Sequence, residues 1–117
     1  MNEISPINFF KYYQTKNQFK IIDLREFNEF EKYHIKNTIN IPFSLIMEKH
    51  YLFLNKHNTY FLICNNGEKS KFASEYLNSL GYHVIYIIGG LKNWPGAFVN
   101  ELEKQYWISV LFFLMQI

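Results

Sequence analysis

The chain has 117 residues and a mass of 14.2 kDa, enough for one compact domain with its own core and too little for two of ordinary size. A content of 49% hydrophobic and 20% aromatic residues excludes a disordered chain. Twelve basic against ten acidic residues leave a net charge of +2, too balanced for a nucleic-acid footprint, and no Lys/Arg stripe interleaves with stacking aromatics, so no nucleic-acid partner is expected.

Taken in order, Ser5-Pro6 is a helix-start signal, because Ser caps free N–H groups and Pro loses nothing at the first helical position. The spacing predicts a helix over 6–15 with Ile7, Phe10 and Tyr13 inward. Thr15-Lys16-Asn17-Gln18 ends it. Lys20-Ile21-Ile22-Asp23-Leu24 is a short apolar run that reads as a strand. Asp23 and Arg25 stand near its C-terminal end, where ligands gather in open α/β sheets. Glu26 to Tyr33 forms a short helix with Phe27 and Phe30 inward. A loop from His34 to Thr38 leads to a very short strand, Ile39-Asn40-Ile41, which Pro42 stops. Helical turns follow from Ser44 to about His50, then a polar turn at Asn55-Lys56-His57-Asn58.

Tyr60-Phe61-Leu62-Ile63 is an uninterrupted apolar run, as expected of a strand buried on both faces of a parallel sheet. After the tight polar loop Cys64-Asn65-Asn66-Gly67-Glu68-Lys69, a helix from Ser70 places Phe72, Ala73, Tyr76, Leu77 and Leu80 on one face and stops at Gly81. His83 to Ile88 is a fourth clear strand. Gly89-Gly90 makes a tight turn, Leu91 to Trp94 starts a short helix that Pro95-Gly96 interrupts, and a last helix is expected from near Ala97 or Asn100 into the apolar tail. Short apolar strands alternating with helical stretches mean an α/β fold, a parallel sheet with helices on both faces.

Cys64 is the only cysteine, so neither an internal disulfide nor a multi-cysteine zinc site is available, and no metal or cofactor is expected. A thiol opening a strand-to-helix loop faces backbone N–H groups and the positive end of a helix, which stabilise negative charge on sulfur. Cys64 therefore reads as a nucleophile.

Three blocks in order resemble the single-domain rhodanese family of sulfurtransferases. Ile21-Ile22-Asp23-Leu24-Arg25-Glu26 is similar to the family's Asp-x-Arg strand end. His34-Ile35-Lys36-Asn37-Thr38-Ile39-Asn40-Ile41-Pro42 resembles its His-Ile-x-x-Ala-x-Asn-Ile-Pro segment, with Thr38 at the small residue. Cys64 to Ser70, then Leu80-Gly81-Tyr82 and Gly89-Gly90-Leu91-Lys92-Asn93-Trp94, resemble the catalytic loop, its helix, the next strand and a Gly-Gly-x-x-x-Trp element. The resemblance covers about Ile4 to Trp94. It implies a rhodanese-like sheet of about five strands, and a Cys64 that alternates between thiolate and persulfide. Asn65, Asn66, Gly67, Glu68, Lys69 and Ser70 would form the persulfide-binding loop. The chain departs from the family in carrying Asn65 where thiosulfate-using members often have a basic residue, and in placing Glu68 beside Lys69.

The implied reaction moves a sulfane sulfur from thiosulfate, polysulfide or a persulfide to a thiol, a protein acceptor or cyanide. It needs no general base. Two other classes stand beside it. A phosphatase or arsenate reductase would need a longer loop ending in arginine, whereas this one ends Glu68-Lys69-Ser70. A binding or redox-sensing module would use the fold without turnover. Asp23 and Arg25 line the pocket in one reading and pair with each other in the other, which is preferred. His34 is a proton donor in one reading and, in the preferred one, a loop-bonded histidine. Lys69 is an anion contact or a solvated lysine.

Residues 1–99 are read as the domain and 100–117 as an apolar C-terminal helix or tail. Tyr106 to Met115 is too short to span a bilayer. It reads as a helix packed on the domain, a homo-oligomer contact or an in-plane membrane contact. Glu3, Ser5 and Pro6 break any secretory signal pattern, so a cytoplasmic location is expected.

Overall fold

The structure, a computed structural model, describes residues 2–15 and 20–102. Its elements in chain order are β1 (Glu3–Ile4), α1 (Pro6–Thr15), β2 (Ile21–Asp23), α2 (Phe27–Phe30), β3 (Thr38–Asn40), α3 (Phe43–Phe53), β4 (Thr59–Ile63), α4 (Glu68–Ser79), β5 (His83–Ile87) and a 3-10 turn at Gly90–Asn93. All strand pairs are parallel, and the five-stranded sheet has the order β1-β5-β4-β2-β3.

Side chains alternate across the sheet with the strand period of two, which divides the core into two layers. Ile22, Leu24, Tyr60, Leu62, Val84 and Tyr86 pack with Ile46 of α3 and with Ala73 and Leu77 of α4. On the other face, Ile21, Phe61, Ile63 and Ile87 pack with Phe9 of α1 and with Leu91 and Trp94. The same parity continues past β4: Cys64 follows Tyr60 and Leu62 onto the face covered by α3 and α4. Complete burial of a Leu or Phe side chain contributes about 1.5–3 kcal/mol, so these two layers supply the main driving force.

The chain leaves β4 toward β5 and leaves β2 toward β3, in opposite directions along the sheet. A crevice therefore opens between the carboxyl ends of these two neighbours, the place where open α/β sheets bind ligands. Asp23 is paired with Ile63, and Leu24 N donates to Ile63 O at 2.8 Å, so the two strand ends emerge level and side by side.

Several inward faces differ from those expected from sequence. In α1 the fully buried residue is Phe9, while Ile7 is 52% exposed; two residues apart on a helix is about 200°, so these side chains point to opposite sides. Phe27 is 38% exposed, and the buried residue of α2 is Phe30. In α4 the buried set is Ser70, Ala73, Ser74 and Leu77, and Phe72 is 60% exposed. Small serines let α4 approach the sheet closely, and Ser74 Oγ satisfies itself on Val84 O at 3.3 Å.

β1 was not expected from the sequence. Residues 97–102 contain no helix; instead Val99 forms an antiparallel bridge with His34. The apolar stretch 106–115 and its three readings lie outside the described residues. Among the described residues no helix is long and apolar enough to cross a membrane.

Candidate active site at Cys64

The loop between β4 and α4 wraps around one sulfur. Gly67 N donates to Cys64 Sγ at 3.2 Å and Ser70 N at 3.4 Å. Ser70 Oγ lies 3.3 Å from the sulfur and also reaches Gly67 O at 3.2 Å. A hydroxyl carries one proton and two lone pairs. Ser70 can thus accept from a thiol while bonded to Gly67 O, or turn and donate to a thiolate. Asn66 Oδ1 accepts from Glu68 N at 3.1 Å and shapes the turn into α4.

The loop is held from behind by the Gly89-Gly90 turn. Leu91 N donates to Cys64 O at 2.8 Å and Lys92 N to Asn65 O at 3.1 Å. Across planar trans peptides the following N–H groups, of Asn65 and Asn66, point away from those carbonyls. Gly67 has φ +91°, and a Cβ there would come within 2.8 Å of Gly89 N. Gly90 has φ +62°, and a Cβ there would collide with Cys64 O. Both glycines permit a close approach of backbone that no side chain allows.

The opposite wall comes from the end of β2. Arg25 donates to Asp23 from Nε at 3.1 Å and from Nη2 at 2.9 Å, and its backbone N reaches Asp23 Oδ1 at 3.0 Å. Nη2 also donates to Tyr33 O at 2.7 Å. Both side chains are buried. Burial pushes the Asp23 carboxyl up from its ordinary value, with the Arg25 guanidinium pulling it back. The Asp23–Arg25 ion pair of the preferred reading is thus present, and Arg25 lines the cavity as well. His34 is buried and is not among the residues lining the cavity at the sulfur, donating from Nδ1 to Phe30 O at 2.7 Å and stacked on the Phe30 ring at 3.8 Å. Trp94 lies on the other face of the sheet against Phe9, Phe10 and Tyr13.

Cys64, itself 3% exposed, opens into a cavity of about 190 Å³. A water occupies about 30 Å³ of liquid, so the space admits the reacting end of a small donor. Asn65, Asn66, Glu68 and Lys69 line it from the loop, and Leu24, Arg25, Glu26 and Glu29 from the other side. Lys69 Nζ rests over the Phe43 ring at 5.7 Å. A larger hollow of about 550 Å³ shares Asn65 and Asn66 and is walled by Tyr33, Leu91, Lys92 and Phe98, but the sulfur does not line it. Of the two, the smaller space is the one onto which the sulfur opens.

Sequence reasoning missed two residues that hold these walls. Asn40 donates to Asp23 O at 3.1 Å and to Arg25 O at 2.7 Å; a buried asparagine inside a short apolar strand was the available signal. Glu29 accepts from Asn65 Nδ2 at 2.9 Å and ties α2 to the loop. That bond holds the Glu29 carboxyl below its ordinary value, against a smaller opposing effect of burial. Among several exposed glutamates nothing in the sequence singles it out.

The family model described as "Rhodanese-like domain" matches residues 10–97. A sulfur-carrier-type protein of Bacillus subtilis, YrkF, is 32% identical over 95 residues, 80% of this chain and 51% of that one. The thiosulfate sulfurtransferase PspE of Escherichia coli is 33% identical over 73 residues, 62% of this chain and 70% of that one. Among solved structures, a rhodanese-related protein from Thermoplasma volcanium superposes with a TM-score of 0.76 at 29% identity, covering 86% of this chain and 100% of that one. The chain spans about half the length of the Bacillus carrier protein, and 28% and 23% of two molybdopterin-synthase adenylyltransferase-type relatives from red algae.

Proposed function

The chain belongs to the rhodanese-like domain family, and from that premise we propose that it transfers a sulfane sulfur through a persulfide on Cys64. The observation that carries this reading is a single sulfur that opens into a small cavity and receives two backbone N–H bonds, from Gly67 and Ser70.

The Cys64 thiolate attacks the outer sulfur of a donor, the donor's S–S bond breaks, and the remainder leaves with the electron pair as sulfite or a thiolate. The new terminal sulfur carries the charge. N–H donors already aimed at the loop's sulfur are the groups that can hold it, as preorganised donors hold an oxyanion. An acceptor thiolate or cyanide then takes the outer sulfur and Cys64 recovers its thiolate. Asn65, Asn66, Gly67, Glu68, Lys69 and Ser70 act as the binding loop, and Asp23, Arg25 and Asn40 fix the facing wall. The names of the relatives, one a sulfur carrier and one a sulfurtransferase, support a small sulfur donor and a thiol or protein acceptor as partners.

A phosphatase-type reading is less well supported, because the sole arginine, Arg25, is engaged by Asp23 and Tyr33 O and offers no free fork for a tetrahedral oxyanion. Incubation with thiosulfate, polysulfide or a low-molecular-weight persulfide is expected to add one sulfur to the intact mass, and Cys64→Ser to add none. Absence of the adduct with every donor, or its persistence in Cys64→Ser, would sink the reading.

A further inference from the structure

The rim of the Cys64 cavity has a charge opposite to that of its floor. At the floor, Gly67 N and Ser70 N face the sulfur and the N-terminus of the 12-residue α4 lies beside it, so one negative charge is accommodated there. Around the mouth stand three carboxylates, Glu26, Glu29 and Glu68. The cations lining the same cavity are Arg25 and Lys69. Arg25 is neutralised in the buried pair with Asp23, and the Lys69 ammonium sits over the Phe43 ring. Glu29 faces the Asn65 amide. Glu26 and Glu68 are exposed and remain as fixed negative charge at the entrance.

A donor must bring its outer sulfur to the floor while the rest of it lies at the rim. A monoanionic group is held by the floor and feels the rim weakly. A dianion such as thiosulfate carries its second charge among the carboxylates, where it is repelled. A donor with a remote ammonium puts that cation where the rim attracts it. Resting on the persulfide reading above, we propose that Glu26 and Glu68 are specificity-determining residues that select sulfane donors bearing a remote positive charge and reject dianions.

The test compares three donors by the second-order rate of sulfur loading, read by intact mass. These are thiosulfate, a dianion that expels sulfite; toluenethiosulfonate, a monoanion that expels sulfinate; and cysteamine persulfide, whose ammonium-bearing thiolate leaves while the persulfide proton stays with the transferred sulfur. In each case the Cys64 thiolate forms one S–S bond as the donor's breaks. Raising the salt should speed loading from thiosulfate and slow loading from cysteamine persulfide, since screening weakens repulsion and attraction alike. In Glu26→Gln/Glu68→Gln the ratio of the thiosulfate rate to the cysteamine persulfide rate should rise by about three- to tenfold, the size expected of exposed charges at a few ångströms' remove. A ratio of two donors on one preparation does not depend on how much of the variant is folded. An unchanged ratio, or salt effects of the same sign for both donors, overturns the charge selection while leaving persulfide transfer intact. No loading from any donor overturns both.

Discussion

Glu29 illustrates how one side chain sets the pose of a loop. One carboxylate oxygen accepts from Glu26 N at 3.4 Å, which closes the first turn of α2, and the other accepts from Asn65 Nδ2 at 2.9 Å. The amide bond is the main reason that the carboxyl lies below its ordinary value. A carboxyl lowered in the folded state contributes stability that is present above its ordinary range and is lost as pH falls through the lowered value. Asn65→Ala removes the main cause, so the Glu29 carboxyl should move up toward its ordinary value, and the acid-dependent loss of stability should shrink. Side-chain carboxyl titration by NMR reads the first and unfolding at graded acid pH reads the second; a Glu29 titration indifferent to the substitution would contradict the assignment. The position of Cys64 at the head of the loop between β4 and α4 was legible in the sequence because residue type and local context coincide in one stretch. Glu29 was not, because its partner is 36 residues away and Glu26, Glu29 and Glu31 look alike until the fold brings one of them to Asn65.

Among the elements, the end of β2 carries the largest electrostatic stake. Asp23 and Arg25 are both buried and satisfy each other, with Asn40 and Tyr33 O completing the network. Removing one partner leaves an uncompensated buried charge, which costs about 3–5 kcal/mol, whereas replacing both with apolar groups is far less harmful. Asp23→Ala should therefore lower the unfolding free energy by about that amount, and Asp23→Ala/Arg25→Met should recover most of it. Urea unfolding of the two variants checks this, and a double variant as damaged as the single one would show that the pair acts otherwise. Four strands were legible as short apolar runs with turn residues between them. β1 was not, because Glu3–Ile4 is too short to show alternation. The inward face of α4 was also misjudged. Helical periodicity scores Phe72 and Tyr76 as core, but closeness to the sheet selects Ser70 and Ser74, and no hydrophobic pattern reports a small polar residue that satisfies itself on a neighbouring carbonyl.

At the scale of the whole molecule, the position of the candidate site follows from strand order. The sequence indicated parallel strands and ligand binding at their carboxyl ends. The placement of β4 beside β2, with departures in opposite directions, sets the Cys64 loop against Arg25 and α2; strand order is a long-range property that local patterns do not encode. The same architecture bears on the division of the chain into a domain over 1–99 and a tail. Both core layers are made of residues between Ile4 and Trp94, and the Val99–His34 bridge is the last backbone pairing of the described residues. A chain ending at Leu102 should accordingly unfold cooperatively and still load sulfur on Cys64. Its midpoint should stay within about 4–8 °C of the full chain, the shift that about 1 kcal/mol produces in a domain of this size. Calorimetry with intact-mass loading on the same samples makes the comparison. A fall well beyond that interval, with loading lost, would place 103–117 within the cooperative unit and move the domain boundary to the end of the chain.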